Sequence, residues 1–133
     1  MKNYLIINET HSLLPDQVRE LEEKGMSDYE EIRIPKEGWN LQTRLDRAHE
    51  WARRGGRYIF VSPEPVMLGR LAYYAGHGSH YIDGTPAFGH DVAVYVFSND
   101  RRVKKELPDG RIVQTIAPTG WKLVEIGRGD AWG

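Results

Sequence analysis

The sequence predicts an α/β protein with a mostly parallel sheet and an antiparallel extension at its C-terminal end. Three times within the first 75 or so residues, a short apolar run is followed by a segment with helical periodicity. Strands separated by helix-length segments pair in parallel by default. After residue 90 the pattern changes to β-prone runs joined by a turn signature, which is typical of antiparallel strands. At 133 residues, the chain has the length of one domain, and we expect residues 1–133 to form one.

The first strand, helix and second strand each follow from a local pattern. Tyr4–Ile7 is a continuous apolar run, as in a strand that is covered on both faces. A helix over Pro15–Lys24 follows, because proline fits the first helical position and Gly25 suits the left-handed conformation after the last one. Glu31–Pro35 alternates between polar and apolar residues, which favours a second strand.

A second helix, a third strand and a third helix complete this half of the chain. Leu41–Arg54 is the predicted second helix, since leucine and alanine residues recur on one stripe and two glycines end it. Tyr58–Val61 is an apolar run that predicts the third strand, and Val66–Ala75 is the third helix. A loop over Gly76–His90 then leads into the second half.

The second half of the chain is predicted to form β-strands. Asp91–Ser98 is strongly β-prone and apolar on both faces, so it fits a parallel or an antiparallel position. Arg101–Glu106 and Arg111–Ile116 flank the turn sequence LPDG, and we expect a hairpin that projects as a dimer arm. Trp121–Ile126 is the predicted last strand, and residues 127–133 are a tail expected to fray.

Composition limits the classes of function. Hydrophobic residues make up 40% of the chain and charged residues 28%, as in ordinary globular proteins. A formal net charge of −1 supplies no global attraction to long nucleic acids or acidic membranes. The absence of cysteine excludes disulfides and zinc–thiolate sites. The N-terminal apolar run is too short for a signal peptide or a membrane span, so we expect a cytoplasmic protein.

The predicted sheet is small and Rossmann-like, and it indicates where a ligand binds. In such sheets, ligands lie beyond the carboxyl ends of the strands, near a change in strand order. Three segments would meet there: Asn8–Ser12, Lys36–Asn40 and Ser62–Glu64. We expect the amides that open the third helix, from Val66 onward, to offer N–H groups to an anion.

Each polar residue in these loops has a functional and a structural interpretation. His11 fits a general acid or base near neutral pH, or an exposed histidine beside a capped helix. Ser62 fits an anion-binding group or a helix cap. Trp39 fits a surface for stacking a base or a packing contact at the start of the second helix. Arg70 fits a phosphate ligand or a surface arginine.

Metal and nucleotide motifs are weak. His77, His80 and His90 lie near Asp83 and Asp91, but in a glycine-rich loop without fixed geometry, so we expect no metal. The sequence contains no GxGxxG, GxxxxGK[ST] or GxSxG motif. We therefore expect no cofactor.

Two segments, IINETHSLLPDQVREL and IFVSPEPVMLGRLAYYAGHG, carry a family resemblance. They resemble small CRISPR-associated Rossmann-like proteins, the standalone relatives of the CARF domain in type III systems. In that group the first strand ends in Asn or Ser, with a histidine before a proline-led helix, and the third ends in a small polar residue and proline. The matching positions in this chain are Asn8, His11, Pro15, Ser62, Pro63 and Leu68.

The resemblance implies a specific activity. CARF-type proteins are homodimers that bind cyclic oligoadenylates across a twofold axis, and some are ring nucleases that cleave them. The cleavage resembles metal-independent RNA self-cleavage, in which a ribose 2′-OH attacks the adjacent phosphate and leaves a 2′,3′-cyclic phosphate. On this basis His11, Asn8 and Ser62 are the expected catalytic residues. The expected ligand-binding residues are Thr10, Ser12, Trp39, Asn40, Glu64 and Arg70.

Two other functions stay open at this stage. A sensor or sponge would bind a cyclic nucleotide without cleaving it and would not need His11. An unrelated small α/β protein would bind a different phosphorylated metabolite.

Overall fold

The structure is a computed structural model that describes residues 1–62, 64–77, 81–82, 85–86 and 92–127. In chain order the elements are β1 (Asn3–Asn8), α1 (Pro15–Glu23), β2 (Glu30–Ile34), α2 (Leu41–Arg54), β3 (Gly56–Phe60), α3 (Pro65–His77), β4 (Tyr81–Ile82), β5 (Thr85–Pro86), β6 (Val92–Ser98), β7 (Arg102–Glu106), β8 (Ile112–Ile116) and β9 (Lys122–Ile126).

Five strands form the central sheet, in the order β2-β1-β3-β6-β9. The first four are parallel, and β9 is antiparallel to β6. This confirms the predicted fold class, a mostly parallel α/β sheet with an antiparallel extension. The sequence left the direction of Asp91–Ser98 open; β6 runs parallel to β3 with Gly56 opposite Val92, so the antiparallel part begins after this strand and not at residue 91. Helix α3 returns the chain towards the amino ends of the strands, so β6 begins at the same end as β3.

The helices cover both faces of the sheet. On one face, Leu21 of α1 packs in a cluster with Leu5, Ile59 and Leu123. On the other face, α2 and α3 bury a larger cluster that contains Trp51, Leu71 and their strand neighbours. Strands β1 and β3, which lie between these layers, are buried on both sides, and this explains why they are largely continuous apolar runs in the sequence.

Several boundaries differ from the sequence prediction. Helix α3 begins at Pro65 and reaches His77, and the two-residue strands β4 and β5 lie where only a loop was predicted. Gly127, placed in a fraying tail, is buried, and a Cβ there would lie 2.5 Å from the carbonyl oxygen of Ala72 in α3. The rest of that tail, together with His80, Asp83, His90 and Asp91, lies outside the described residues.

The predicted hairpin forms as strands β7 and β8, separate from the central sheet. Its turn needs glycine, since Gly110 has a φ of +87°. The hairpin is inserted between β6 and β9, so it leaves the sheet at the carboxyl end of the parallel strands.

Two acidic residues of α1 hold the start of β9. Asp16 Oδ2 accepts hydrogen bonds from the backbone N–H groups of Gly120 and Trp121, each at 2.9 Å. One turn later, the buried Glu20 accepts from the N–H of Leu123 at 3.1 Å. The Trp121 N–H and the Arg19 guanidinium lower the pKa of Asp16 below its ordinary value. These contacts satisfy donors on the outer edge of the sheet.

None of the helices in the described ranges is long and apolar enough to cross a membrane.

Candidate functional site

The strand order changes direction between β1 and β3. From β1 the chain crosses to β2 on one side, and from β3 it crosses to β6 on the other. The carboxyl ends of these two neighbouring strands therefore lie at a topological switch point, where open α/β sheets bind ligands. Asn8 ends β1, and Ser62 follows β3 by two residues.

A histidine and a serine meet at this switch point. His11 Nδ1 lies 2.9 Å from Ser62 Oγ, although the two residues are 51 positions apart in the chain. The Ser62 side chain is buried, and its Oγ also accepts a hydrogen bond from the Asn8 backbone N–H at 2.9 Å. His11 is exposed. A buried hydroxyl thus orients an imidazole that faces solvent.

The pair allows the imidazole to hold its proton on either nitrogen. Ser62 has one proton to donate and two lone pairs, of which the Asn8 amide uses one. When Ser62 donates to Nδ1 of His11, the neutral ring carries its proton on Nε2, which is then a hydrogen-bond donor. The ring is a general acid when both nitrogens are protonated and Nδ1–H donates to Ser62 Oγ. When Nδ1–H of the neutral ring donates to Ser62 Oγ, Nε2 holds a free lone pair and is a base. In the described part of the chain, no hydrogen bond involves Nε2 of His11, so that atom is available to a ligand.

Asn8 organises the loop that presents His11. Its Oδ1 accepts from the Thr10 backbone N–H at 3.0 Å and from Thr10 Oγ1 at 2.7 Å, and its Nδ2 donates to the Pro35 carbonyl oxygen. The His11 N–H closes the turn by donating to the Asn8 carbonyl oxygen. The side chain of Asn8 is therefore engaged within the protein, whereas Thr10 and Ser12 are exposed beside His11.

Glu64 lies at the N-terminus of α3. Its Oε2 accepts from the Met67 backbone N–H at 2.6 Å, and its Oε1 accepts from Arg44 Nη1 at 2.8 Å. The sequence led us to expect amides from Val66 onward to be open to an anion, but the Glu64 carboxylate occupies one of them, the Met67 N–H. Pro65 has no N–H to offer, so Glu64 supplies a negative charge at this helix end.

Sequence reasoning missed Arg44, which lies in the first turn of α2. It is half-buried, and its Nε has no hydrogen-bond partner among the described residues. The signal was its place just after the Lys36–Asn40 loop, where the first turn of a helix reaches the binding edge of the sheet.

Trp39 and Asn40 support α2. The Trp39 ring centroid lies 6.4 Å from that of Trp51, and the Arg47 guanidinium lies 5.7 Å from the Trp39 ring. Asn40 is the N-cap, since its Oδ1 accepts from the Thr43 N–H at 2.8 Å. The contacts of Trp39 correspond to its structural interpretation, and the side chain of Asn40, expected to bind a ligand, caps α2.

Arg70 lies on the exposed side of α3, away from the contacts of His11 and Ser62. With Leu41, Leu45, Val66 and Tyr73 it lines an open groove of about 550 Å³ between α2 and α3. The residues that the structure brings together are thus Asn8, Thr10, His11 and Ser62, while Glu64 and Arg44 form an ion pair at the start of α3.

Comparisons with protein-family models, with curated proteins and with solved structures found no match to this chain. Within the described residues, no three His, Cys, Asp or Glu side chains form a group that could hold a metal ion. A functional interpretation therefore depends on the chemistry of the switch point itself.

Proposed function

We propose that this protein binds a cyclic oligoadenylate at the switch point and cleaves it by attack of a ribose 2′-OH on the adjacent phosphate. The observation that supports this proposal is the contact between His11 and Ser62 at the end of two parallel strands. The proposal includes a homodimer. It also includes a cytoplasmic location, because a chain without cysteine fits a reducing compartment.

His11 has the role of proton carrier. Its Nε2 takes the 2′-OH proton or protonates the leaving 5′-oxygen, and a correctly placed general acid or base contributes about 10²–10⁴-fold to a rate. The bond that forms joins the 2′-oxygen to phosphorus, and the bond that breaks joins phosphorus to the 5′-oxygen. The products are a 2′,3′-cyclic phosphate and a 5′-hydroxyl.

Ser62 acts as a positioning residue in this scheme. Its hydroxyl is buried and accepts the Asn8 amide, so it is poorly placed to attack a phosphate itself. Holding the imidazole in one orientation contributes through the geometry of the reacting groups. The nucleophile in this reaction is the 2′-OH of the substrate, so the protein needs to position the reacting groups and does not need a strong nucleophile of its own.

The test is incubation of the purified protein with cyclic tetra-adenylate and cyclic hexa-adenylate in the presence of EDTA, followed by separation of the products. His11→Asn retains a group that can hydrogen-bond Ser62 at the position of Nδ1 but has no Nε2. We expect it, like His11→Ala, to slow cleavage by about 10²–10⁴-fold with binding nearly unchanged. His49→Asn on α2 is the matched control and should cleave at the wild-type rate.

Ser62→Ala is expected to weaken both binding and rate, because the Asn8 amide and His11 lose their shared partner. Wild-type binding without any turnover would support a sensor instead. Turnover by His11→Asn at the wild-type rate would exclude the histidine from catalysis, and absence of binding to either ring would overturn the proposal.

A further inference from the structure

The two edges of the β7–β8 hairpin differ in charge. Strand β7 has the sequence RVKKE and carries three cations (Arg102, Lys104 and Lys105) and one carboxylate (Glu106), whereas β8 has the sequence IVQTI and carries no charge. Lysine and arginine on an edge strand oppose pairing with another strand, and an uncharged β-branched edge favours it. Only the β8 edge is therefore suited to receive another strand.

The hairpin also exposes apolar side chains. Ile112 is 67% exposed and Ile116 is 52% exposed, and both lie on one face of the hairpin with Gln114 between them. Within the described residues the hairpin has only its own two strands. A two-stranded hairpin is marginally stable in water unless further strands or packing support it.

The hydrogen bonds of the hairpin show which backbone groups of β8 are free. The Ala117 N–H donates to the Arg101 carbonyl oxygen, and the Leu107 N–H donates to the Arg111 carbonyl oxygen. Because hydrogen-bonded pairs alternate along an antiparallel ladder, Val113 and Thr115 direct their backbone groups towards β7. By the same alternation, residues 112, 114 and 116 direct theirs away from it.

We propose that the free edge of β8 pairs in antiparallel fashion with β8 of a second copy of this chain, around a twofold axis at Gln114. This register places Ile112 opposite Ile116 of the second copy, Val113 opposite its Thr115, and Gln114 opposite its Gln114. The outward-facing residues become the hydrogen-bonded pairs, each of which exchanges two hydrogen bonds. The result is a four-stranded sheet with four isoleucines on one face.

The distribution of charge favours pairing of two copies through β8 over pairing through β7. Pairing through β8 brings no charged side chains opposite each other, and it places β-branched side chains directly opposite one another. Pairing two copies through β7 would bring together two strands that each have more cations than carboxylates, with Lys104 and Lys105 at their centre. The two β7 strands then form the outer edges of the four-stranded sheet, where their lysines protect it from further growth. This inference does not depend on the proposed ring-nuclease activity.

Sedimentation equilibrium of the whole chain tests the interface. We expect the wild type to reach twice the chain mass of 15.3 kDa at micromolar concentrations. Gln114→Pro removes a backbone N–H that faces away from β7, so it leaves the hairpin's own ladder intact and should weaken dimerisation by tenfold or more (about a 1.4 kcal/mol loss). Gln114→Lys opposes two cations at the axis and should act in the same direction. Gln42→Lys on the exposed side of α2 is the matched control and should dimerise normally.

Cross-linking gives an independent readout, because the natural chain has no cysteine. Residues in a hydrogen-bonded antiparallel pair have Cα atoms about 5.5 Å apart, within the range of a disulfide. Under mild oxidation, Gln114→Cys should form a disulfide-linked dimer at concentrations where Gln42→Cys, although it dimerises, forms no covalent dimer. A monomeric wild type, a dimer that is indifferent to both substitutions at Gln114, or equal cross-linking of the two cysteine variants would overturn the proposal.

Discussion

Gly56 shows most directly how a single residue limits this fold. It begins β3 with a φ of +119°, and a Cβ placed there would lie 2.8 Å from the Tyr4 ring and 3.0 Å from the Lys2 carbonyl oxygen. Gly56→Ala therefore combines backbone strain with a clash in the core. We expect it to lower the free energy of unfolding by about 2–4 kcal/mol, as measured by denaturant titration.

Gly38→Ala separates the two causes. Gly38 also has a positive φ, of +80°, but a Cβ there would meet nothing within 4 Å. Its substitution should cost about 1 kcal/mol, from backbone strain alone. If Gly56→Ala and Gly38→Ala lose the same free energy of unfolding, the Tyr4 ring moves aside without destabilising the core.

The buried hydroxyl of Tyr58 predicts a change of stability with pH. Its Oη lies within 3.1 Å of the carbonyl oxygens of Trp51 and Gly55, and burial raises its pKa to about 12 despite the nearby Arg54. An unfolded tyrosine ionises near pH 10. The stabilisation is therefore complete below pH 10 and is lost as the pH rises from 10 towards 12.

Tyr58→Phe is the variant that tests this, because it has no group to ionise. Its unfolding free energy should lie below that of the wild type at neutral pH. The gap should narrow by about 2 kcal/mol on going from pH 10 to pH 12. A constant gap across that range would mean that the hydroxyl does not titrate in this way.

At the scale of the elements, the two helices on one face of the sheet differ in how they begin. Asn40 caps α2 through one hydrogen bond, whereas Glu64 caps α3 and also binds Arg44 of α2. Asn40→Ala should cost about 1 kcal/mol. Glu64→Ala should cost more, because it also leaves the half-buried Arg44 without its carboxylate.

Thermal unfolding of the two variants measures this difference. Glu64 is two residues from Ser62, so its loss should also disturb the His11–Ser62 contact. Observing His11 by NMR in Glu64→Ala and in Asn40→Ala separates that effect from general destabilisation. An unchanged His11 signal in Glu64→Ala would show that the cap and the switch point are independent.

Periodicity was sufficient to predict most elements, because buried strands and amphipathic helices impose different spacings on apolar residues. Leu41–Arg54 was predicted with its observed bounds, since two glycines follow it. The direction of β6 was beyond the sequence, because a strand that is apolar on both faces fits either direction. Its direction depends on its partner β3, which lies 36 positions earlier in the chain, as with Gly56 opposite Val92.

The location of the site was easier to predict than the contacts within it. Asn8, His11 and Ser62 were expected at one edge, since the carboxyl ends of parallel strands meet there. The link between Glu64 and Arg44 was missed, because glutamate is an uncommon N-cap and its partner depends on how α2 packs on α3. Trp39 could not be assigned from its neighbours in sequence, because its packing partner Trp51 lies three turns along α2.

At the scale of the whole molecule, the contacts of Asp16 with the start of β9 predict a loss of stability in acid. The pKa of Asp16 is lowered below 3.8 in the folded state. Its contribution is therefore present above that pH and is lost as the pH falls through the lowered value. Asp16→Asn retains an acceptor for Gly120 and Trp121 but does not titrate.

Urea titration at a series of acidic pH values measures this dependence. The wild type should lose stability more steeply than Asp16→Asn below pH 3.8. Asp109→Asn in the exposed hairpin turn is the control and should follow the wild-type slope. If Asp16→Asn and the wild type have the same slope, the carboxylate charge does not stabilise the junction of α1 and β9.

The contacts of α1 with β9 also determine when the protein can finish folding. They join residues that are 103 to 105 positions apart, close to the full length of the chain. During synthesis, α1 leaves the ribosome long before Leu123, so the sheet face beneath it stays incompletely covered until the last strand emerges. Closing so long a loop is entropically costly and slows folding. The apolar cluster around Leu21 therefore stays incomplete until Leu123 has been synthesised.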